Sequence, residues 1–125
     1  MDAQQARQLK IKCGALTRTM KDHASYENEK VAQEAKVEAT RAAQAALPDE
    51  EKDPNAVNRV QAELAETAAV MPTIVVKIET YLGDLEGVMA TIEDAQGDNM
   101  EAIKETDEWK AAQTAADNAR AFSSQ

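Results

Sequence analysis

Residues 53–92 read DPNAVNRVQAELAETAAVMPTIVVKIETYLGDLEGVMATI, and the spacing of their apolar residues decides the fold. Val57, Val60, Leu64, Thr67, Met71, Ile74, Ile78, Tyr81, Leu85, Val88 and Ile92 alternate at spacings of 3 and 4 without a slip. That is an a/d heptad seam sustained for about five heptads. A second line, Ala68, Val75, Leu82 and Met89, runs beside it at 7-residue spacing. An apolar face this wide predicts a helix buried between two neighbours. Pro72 lies in its middle, where it removes one amide donor and crowds the carbonyl of Ala68, so a bend is expected there. The heptad phase is the same on both sides, which favours a bend over a split into two helices.

The rest of the chain is read outward from this helix. Asp53-Pro54 has the form of an N-cap followed by proline at the first helical position. About 40 residues at 1.5 Å each make the element roughly 60 Å long. Before it, Asp2 and Gln5 form a capping-box pair that opens a first helix. The stripe expected on that helix is Leu9, Cys13, Leu16, Met20, Ala24, Val31, Ala35 and Ala42, narrower than the seam of the second. Gly14 inside it suggests a close approach to a neighbour. Pro48 biases Leu47 out of the helical region and ends the first helix near Ala46. After Gln96-Gly97, Asp98 and Glu101 resemble another capping box. Ala102, Thr106, Trp109, Ala112, Ala116, Ala119 and Phe122 then form the face of a third helix, with Ile103 beside it. Because most of these are alanines, which bury little area, the third helix is expected to dock less strongly than the others and to fray first.

Helices over about 3–46, 54–95 and 98–122, joined by short connections, predict an all-α fold in one domain spanning residues 1–125. It is an elongated, antiparallel three-helix bundle with coiled-coil-like packing. Composition agrees: charged residues are 30% of the 125 and aromatics only 3%, which suits long helices better than a mixed fold. No apolar run follows Met1, so no signal peptide is expected. The stretch Ala68–Val76 is too short for a membrane span. A lone cysteine, Cys13, fits a reducing cytosol.

The net charge of −9 is unevenly spread. Residues 1–21 carry Arg7, Lys10, Lys12, Arg18 and Lys21 against Asp2 alone, whereas residues 47–96 carry 11 acidic and 3 basic side chains. The acidic total argues against general nucleic-acid binding. One basic end on an acidic chain points instead to a protein partner. In an antiparallel bundle that basic end also lies beside the acidic end of the second helix, which gives the charges a purely internal use.

Chemistry is hard to find. His23 is the single histidine, ten residues from Cys13, which is not ligand spacing on a helix. There is no phosphate-binding glycine loop, nucleophile elbow or HExxH pair. Gly83 and Gly87 have GxxxG spacing, a weak signal outside a membrane helix. The residues favour a protein that acts by binding, with no cofactor and no metal, over an enzyme.

Arg7-Gln8-Leu9-Lys10-Ile11-Lys12-Cys13-Gly14, followed by Arg18, Lys21 and Tyr26-Glu27, resembles the opening of the tubulin-binding cofactor A family, also called tubulin-specific chaperone A. The resemblance continues at Met71-Pro72, Ile78-Glu79 and Asp84-Leu85, and at Glu108-Trp109-Lys110. The chain departs from the family in its Ala-rich segment and acidic loop over 39–53, in Gly83 and Gly87, and in the β-branched run 73–76. The resemblance implies a cytoplasmic, cytoskeleton-associated chaperone. Such a protein captures β-tubulin after its release from the cytosolic chaperonin and passes it to other tubulin-folding cofactors for αβ-tubulin assembly, without nucleotide. Candidate contacts are Lys10, Lys12, Arg18, Lys21, Tyr26 and Glu27. Nucleic acid and membrane are not expected partners, and the chain is expected to be a monomer or homodimer. The rival reading is a structural coiled coil that self-associates through the second helix and has no affinity for tubulin.

Overall fold

A computed structural model describes residues 1–125, all of them helical or in short connections, with no strand. Helix α1 is Ala3–Ala45 and α2 is Ala56–Gln96. The third helix comes in two pieces, α3 at Met100–Lys104 and α4 at Asp107–Ser123. Turns of 3-10 helix occupy Asp49–Glu51 and Gly97–Asn99. The fold class expected from the heptads is the one observed.

The helix starts follow local hydrogen bonding. At α1 the box closes both ways: Asp2 N–H donates to Gln5 Oε1 at 3.0 Å, and Gln5 N–H to Asp2 Oδ1 at 2.8 Å. Before α2 the Asp53 carboxylate accepts from the Asn55 amide at 2.9 Å, two residues on, and regular helix begins at Ala56. The Asp98 box does not form. Gly97–Asn99 is a 3-10 turn, and α3 has no side-chain cap. The working cap is Thr106, which sits in extended backbone, accepts from the Trp109 amide at 3.3 Å and donates to the Ile103 carbonyl at 2.6 Å. Asp107 and Glu108 in the first turn of α4 suit the positive end of its dipole. Thr106 is therefore a helix start and not part of a continuous apolar face.

Helix α2 passes through Pro72 in one uninterrupted run, which excludes the two-helix reading. Pro72 is exposed, so the Ala68 carbonyl left without its donor is on the solvent side.

The chain divides into two compact units. Unit 1 comprises Met1–Lys21 and Val75–Gln125. Its core is made by three helices: Leu9 and Leu16 of α1, Ile78, Leu85 and Ile92 of α2, and Ala112, Ala116 and Ala119 of α4 are all fully buried. Trp109 is buried with them. The alanines of α4 are fully enclosed, and Trp109 is the one large side chain that α4 itself buries. Here α2 buries Leu82 and Met89, while Tyr81 and Val88 are half-buried. Two flanking helices share the face, so the buried line moves to the second apolar row.

Unit 2 comprises Asp22–Ile74, a helical hairpin. It buries Val37, Val60, Thr67, Met71 and Ile74, and none of the largest fully buried side chains lies in it. Ala68 is exposed, so the wide face of α2 is not used here. On α1 the inward row is His23, Tyr26, Lys30, Gln33, Val37, Thr40 and Gln44, every one at least half-buried. The stripe expected from sequence falls on the outside: Ala24, Ala35 and Ala42 are exposed, and Val31 is 57% exposed. The physical reason is register. Leu9, Leu16, His23, Lys30, Val37 and Gln44 are successive sevens, and the buried leucines and Val37 set the phase that the polar residues between them follow. Long polar side chains tolerate it by burying their stems.

Candidate partner-binding surface

The six residues singled out from sequence divide between the units. Lys10, Lys12, Arg18 and Lys21 belong to unit 1, Tyr26 and Glu27 to unit 2.

In unit 1, Lys10, Arg18 and Lys21 are exposed and make no ion pair within the chain. Arg7, also exposed and without an ion pair, joins them, because positions 7, 10, 14, 18 and 21 recur at spacings of 3 and 4 and share one helix face. Sequence reasoning counted Arg7 among the basic residues but left it out of the site; that spacing was the signal. Gly14 is the centre of the row. A β-carbon there would lie 3.2 Å from Arg18 Nη1, so the close approach expected at this glycine is made by the Arg18 guanidinium of the same helix.

Lys12 has a different place. It is half-buried, turned toward α2, and its Nζ lies 4.0 Å from Asp84 Oδ2. Internal neutralisation of the acidic end of α2 by the basic start of α1 thus amounts to this one long, partly exposed pair, worth roughly 0–1 kcal/mol. Glu86 is held instead by Arg120 of α4 at 3.0 Å. The outward row remains a strip of uncompensated positive charge on a well-packed scaffold.

In unit 2, Tyr26 is half-buried on the inward row of α1, and Glu27 beside it is exposed. The two therefore present different faces, and Glu27 is the one open to a partner. Elsewhere in this unit Lys36 pairs with Glu63 at 3.4 Å, and the Asp53 amide donates to Gln44 Oε1 at 2.7 Å. The Arg59 guanidinium hydrogen-bonded to Asp53, helped by the Asn55 amide, holds the Asp53 carboxyl below its ordinary pKa.

Two depressions mark unit 1. One, of about 530 Å³, runs between the start of α1 (Gln4, Gln5, Gln8) and the later part of α2 (Gly83, Asp84, Gly87, Val88, Thr91, Ile92). The other, of about 400 Å³, lies between Cys13 and Thr17 of α1 and Lys110–Asn118 of α4. No group of three or more His, Cys, Asp or Glu side chains could hold a metal ion. No helix is long and apolar enough to cross a membrane.

A family model described as tubulin binding cofactor A matches residues 4–116. The fold is similar to the crystal structure of tubulin folding cofactor A from Arabidopsis thaliana. The TM-score is 0.76 at 24% sequence identity, over 95% of this chain and 98% of that one. At that identity the likeness speaks for the fold. No curated protein sequence is significantly similar.

Proposed function

The chain belongs to the tubulin binding cofactor A family, and from that premise we propose that it is a tubulin-folding chaperone. It binds β-tubulin after release from the cytosolic chaperonin and holds it for transfer to other tubulin-folding cofactors and assembly with α-tubulin, in the cytoplasm. The observation that carries the reading is the row Arg7, Lys10, Arg18 and Lys21, exposed and without intrachain acidic partners. Uncompensated charge on a rigid face steers an oppositely charged surface and fixes its register. Glu27 adds an acidic contact from the second unit. Holding a folding intermediate needs no bond made or broken, which accords with a chain whose charged groups form surface rows.

The test is capture of β-tubulin by the purified chain, scored beside α-tubulin, with Lys10→Glu/Lys21→Glu and Lys12→Glu compared. The outward pair should lose β-tubulin at unchanged thermal stability. Lys12→Glu should lower stability slightly and keep binding. Equal capture of both tubulins, or retention by the outward double variant, would count against the reading.

A further inference from the structure

In unit 2 the helix α2 is apolar on more sides than its one neighbour covers. From Leu64 to Ile74 its only charge is Glu66. A helix of that kind is ordinarily enclosed by more than one partner, and this hairpin supplies only α1. The Lys36–Glu63 pair at 3.4 Å marks one flank of the hairpin. On the opposite flank, across the inward rows, lie Glu27 and Glu34 of α1 and Gln61 and Ala68 of α2. One row further out stand Val31 on α1, 57% exposed, and Ala65 and Pro72 on α2, also exposed.

The antiparallel register is fixed by the Lys36–Glu63 pair and by the Asp53 amide donating to Gln44 Oε1 at 2.7 Å. It sets Val31 level with Ala68, Glu34 with Ala65 and Glu27 with Pro72. The two walls of this flank are unlike. The α1 wall is acidic, because Glu27 and Glu34, two turns apart, are exposed and make no ion pair within the chain. The α2 wall carries no charge and consists of small side chains around Ala65, Ala68 and Pro72. Unit 1 shows what form of cover suits these heptad positions. Leu82 and Met89, whole heptads from Ala68, are buried there, and Cys13 and Thr17, whole heptads from Glu27 and Val31, border α4. The cover is a helix.

We propose that this flank of unit 2 docks an amphipathic helix of a partner protein, apolar along its seam and carrying lysine or arginine two turns apart along one edge. The larger apolar side chains of that helix seat on Ala65 and Ala68, where the wall is low, beside Val31. Its basic edge runs along Glu27 and Glu34, and its other edge meets the uncharged α2 wall. A helix with an acidic edge is repelled by the same two glutamates. Glu27 is the acidic contact already given to unit 2, so in that residue the inference rests on the chaperone reading, and it names the chemistry that Glu27 meets. The contact is about four turns long, roughly 22 Å, the scale of a weak and reversible complex.

Fluorescence anisotropy of a labelled synthetic helical peptide of about eighteen residues tests this. The peptide has leucine and alanine in its seam and lysine two turns apart on one edge; its control has glutamate in those places. The full natural chain should bind the lysine peptide about tenfold tighter than the glutamate one, with the difference shrinking at high salt. Glu27→Lys/Glu34→Lys should reverse the preference. Glu93→Lys/Asp94→Lys, the same change of net charge placed in unit 1, should leave it. Ala68→Tyr fills the seat and should weaken the lysine peptide by about tenfold at unchanged helicity. Equal binding of the two peptides, binding of neither, a preference that Glu27→Lys/Glu34→Lys leaves in place, or indifference to Ala68→Tyr would each overturn the proposal. So would a natural chain that is dimeric by sedimentation and made monomeric by Ala68→Tyr, since the flank would then belong to a second copy. No tubulin enters the measurement. A chain that captures β-tubulin and ignores both peptides loses this inference alone, and one that docks the lysine peptide but not β-tubulin loses the chaperone reading alone.

Discussion

The guanidinium of Arg18 lies across Gly14, with Nη1 3.2 Å from the place a β-carbon would take. The obstacle to a side chain at Gly14 is the free end of a flexible arm and not backbone. Gly14→Ala should therefore stabilise the chain by up to about 1 kcal/mol, the helix-propensity difference. Thermal melting checks this. A fall in Tm would mean that the guanidinium is held in place more firmly than its exposure suggests.

Thr106 restarts the helix after Lys104, so Thr106→Ala removes the cap from α4 and leaves the Trp109 amide without its acceptor. A loss of about 0.5–2 kcal/mol is expected. Thr106→Ser, which keeps the hydroxyl, should restore most of it in denaturant titrations.

Gln33 Oε1 is buried on the inward row of unit 2 without a hydrogen-bond partner, its amide nitrogen reaching only Glu29 at 3.4 Å. Gln33→Leu removes the orphan and adds apolar area on a heptad position, for a gain of about 1–2 kcal/mol. Amide hydrogen exchange should also show the hairpin opening at lower free energy than unit 1, since the fully buried large side chains Leu9, Leu16, Ile78, Leu85 and Ile92 all belong to unit 1. Equal protection of residues 24–44 and 78–92 would contradict this.

Pro72 is exposed and inside a continuous helix. Pro72→Ala restores a donor to the Ala68 carbonyl without disturbing the core. It should raise stability by about 1–3 kcal/mol, with circular dichroism showing no loss of helix. Destabilisation would mean that the proline ring is needed where it sits.

The Asp53 carboxyl, lowered by the Arg59 hydrogen bond first and the Asn55 amide second, should titrate below the ordinary aspartate range. Its contribution to stability is present above the unfolded pKa and disappears as pH falls through the lower folded value. In Arg59→Ala the carboxyl titration, followed by NMR, should move upward. An unmoved midpoint would assign the effect to the backbone amide.

What the sequence made legible was whatever a repeat can encode. The long helical run of α2, the Asp2–Gln5 box and the Asp53 cap are local patterns, and each formed. The cationic face was legible in part, with Arg7 missed. Other features depended on partners. The outward position of Val31 and the inward position of His23 follow from a phase anchored by Leu9, Leu16 and Val37, while local hydrophobicity pointed to a line one position off. The shift from Tyr81 and Val88 to Leu82 and Met89 required knowing that two helices flank α2 in unit 1. Thr106 could be read either as part of an apolar face or as a cap; the acids at 107 and 108 were the deciding signal.

The single register of α1 limits how this chain can vary in length. Each residue added or removed within a helix turns everything beyond it by 100°. One deletion between Leu16 and His23 would bring Ala24 and Val31 inward, but with them Glu27, Glu34, Glu38 and Arg41, while Tyr26 and Val37 would turn to the surface. The hairpin would then lose its packing, because four charged side chains would face α2 in place of a tyrosine, a valine and uncharged polar groups. Only insertions close to a multiple of seven, or changes in the connection over 46–55, leave both faces as they are.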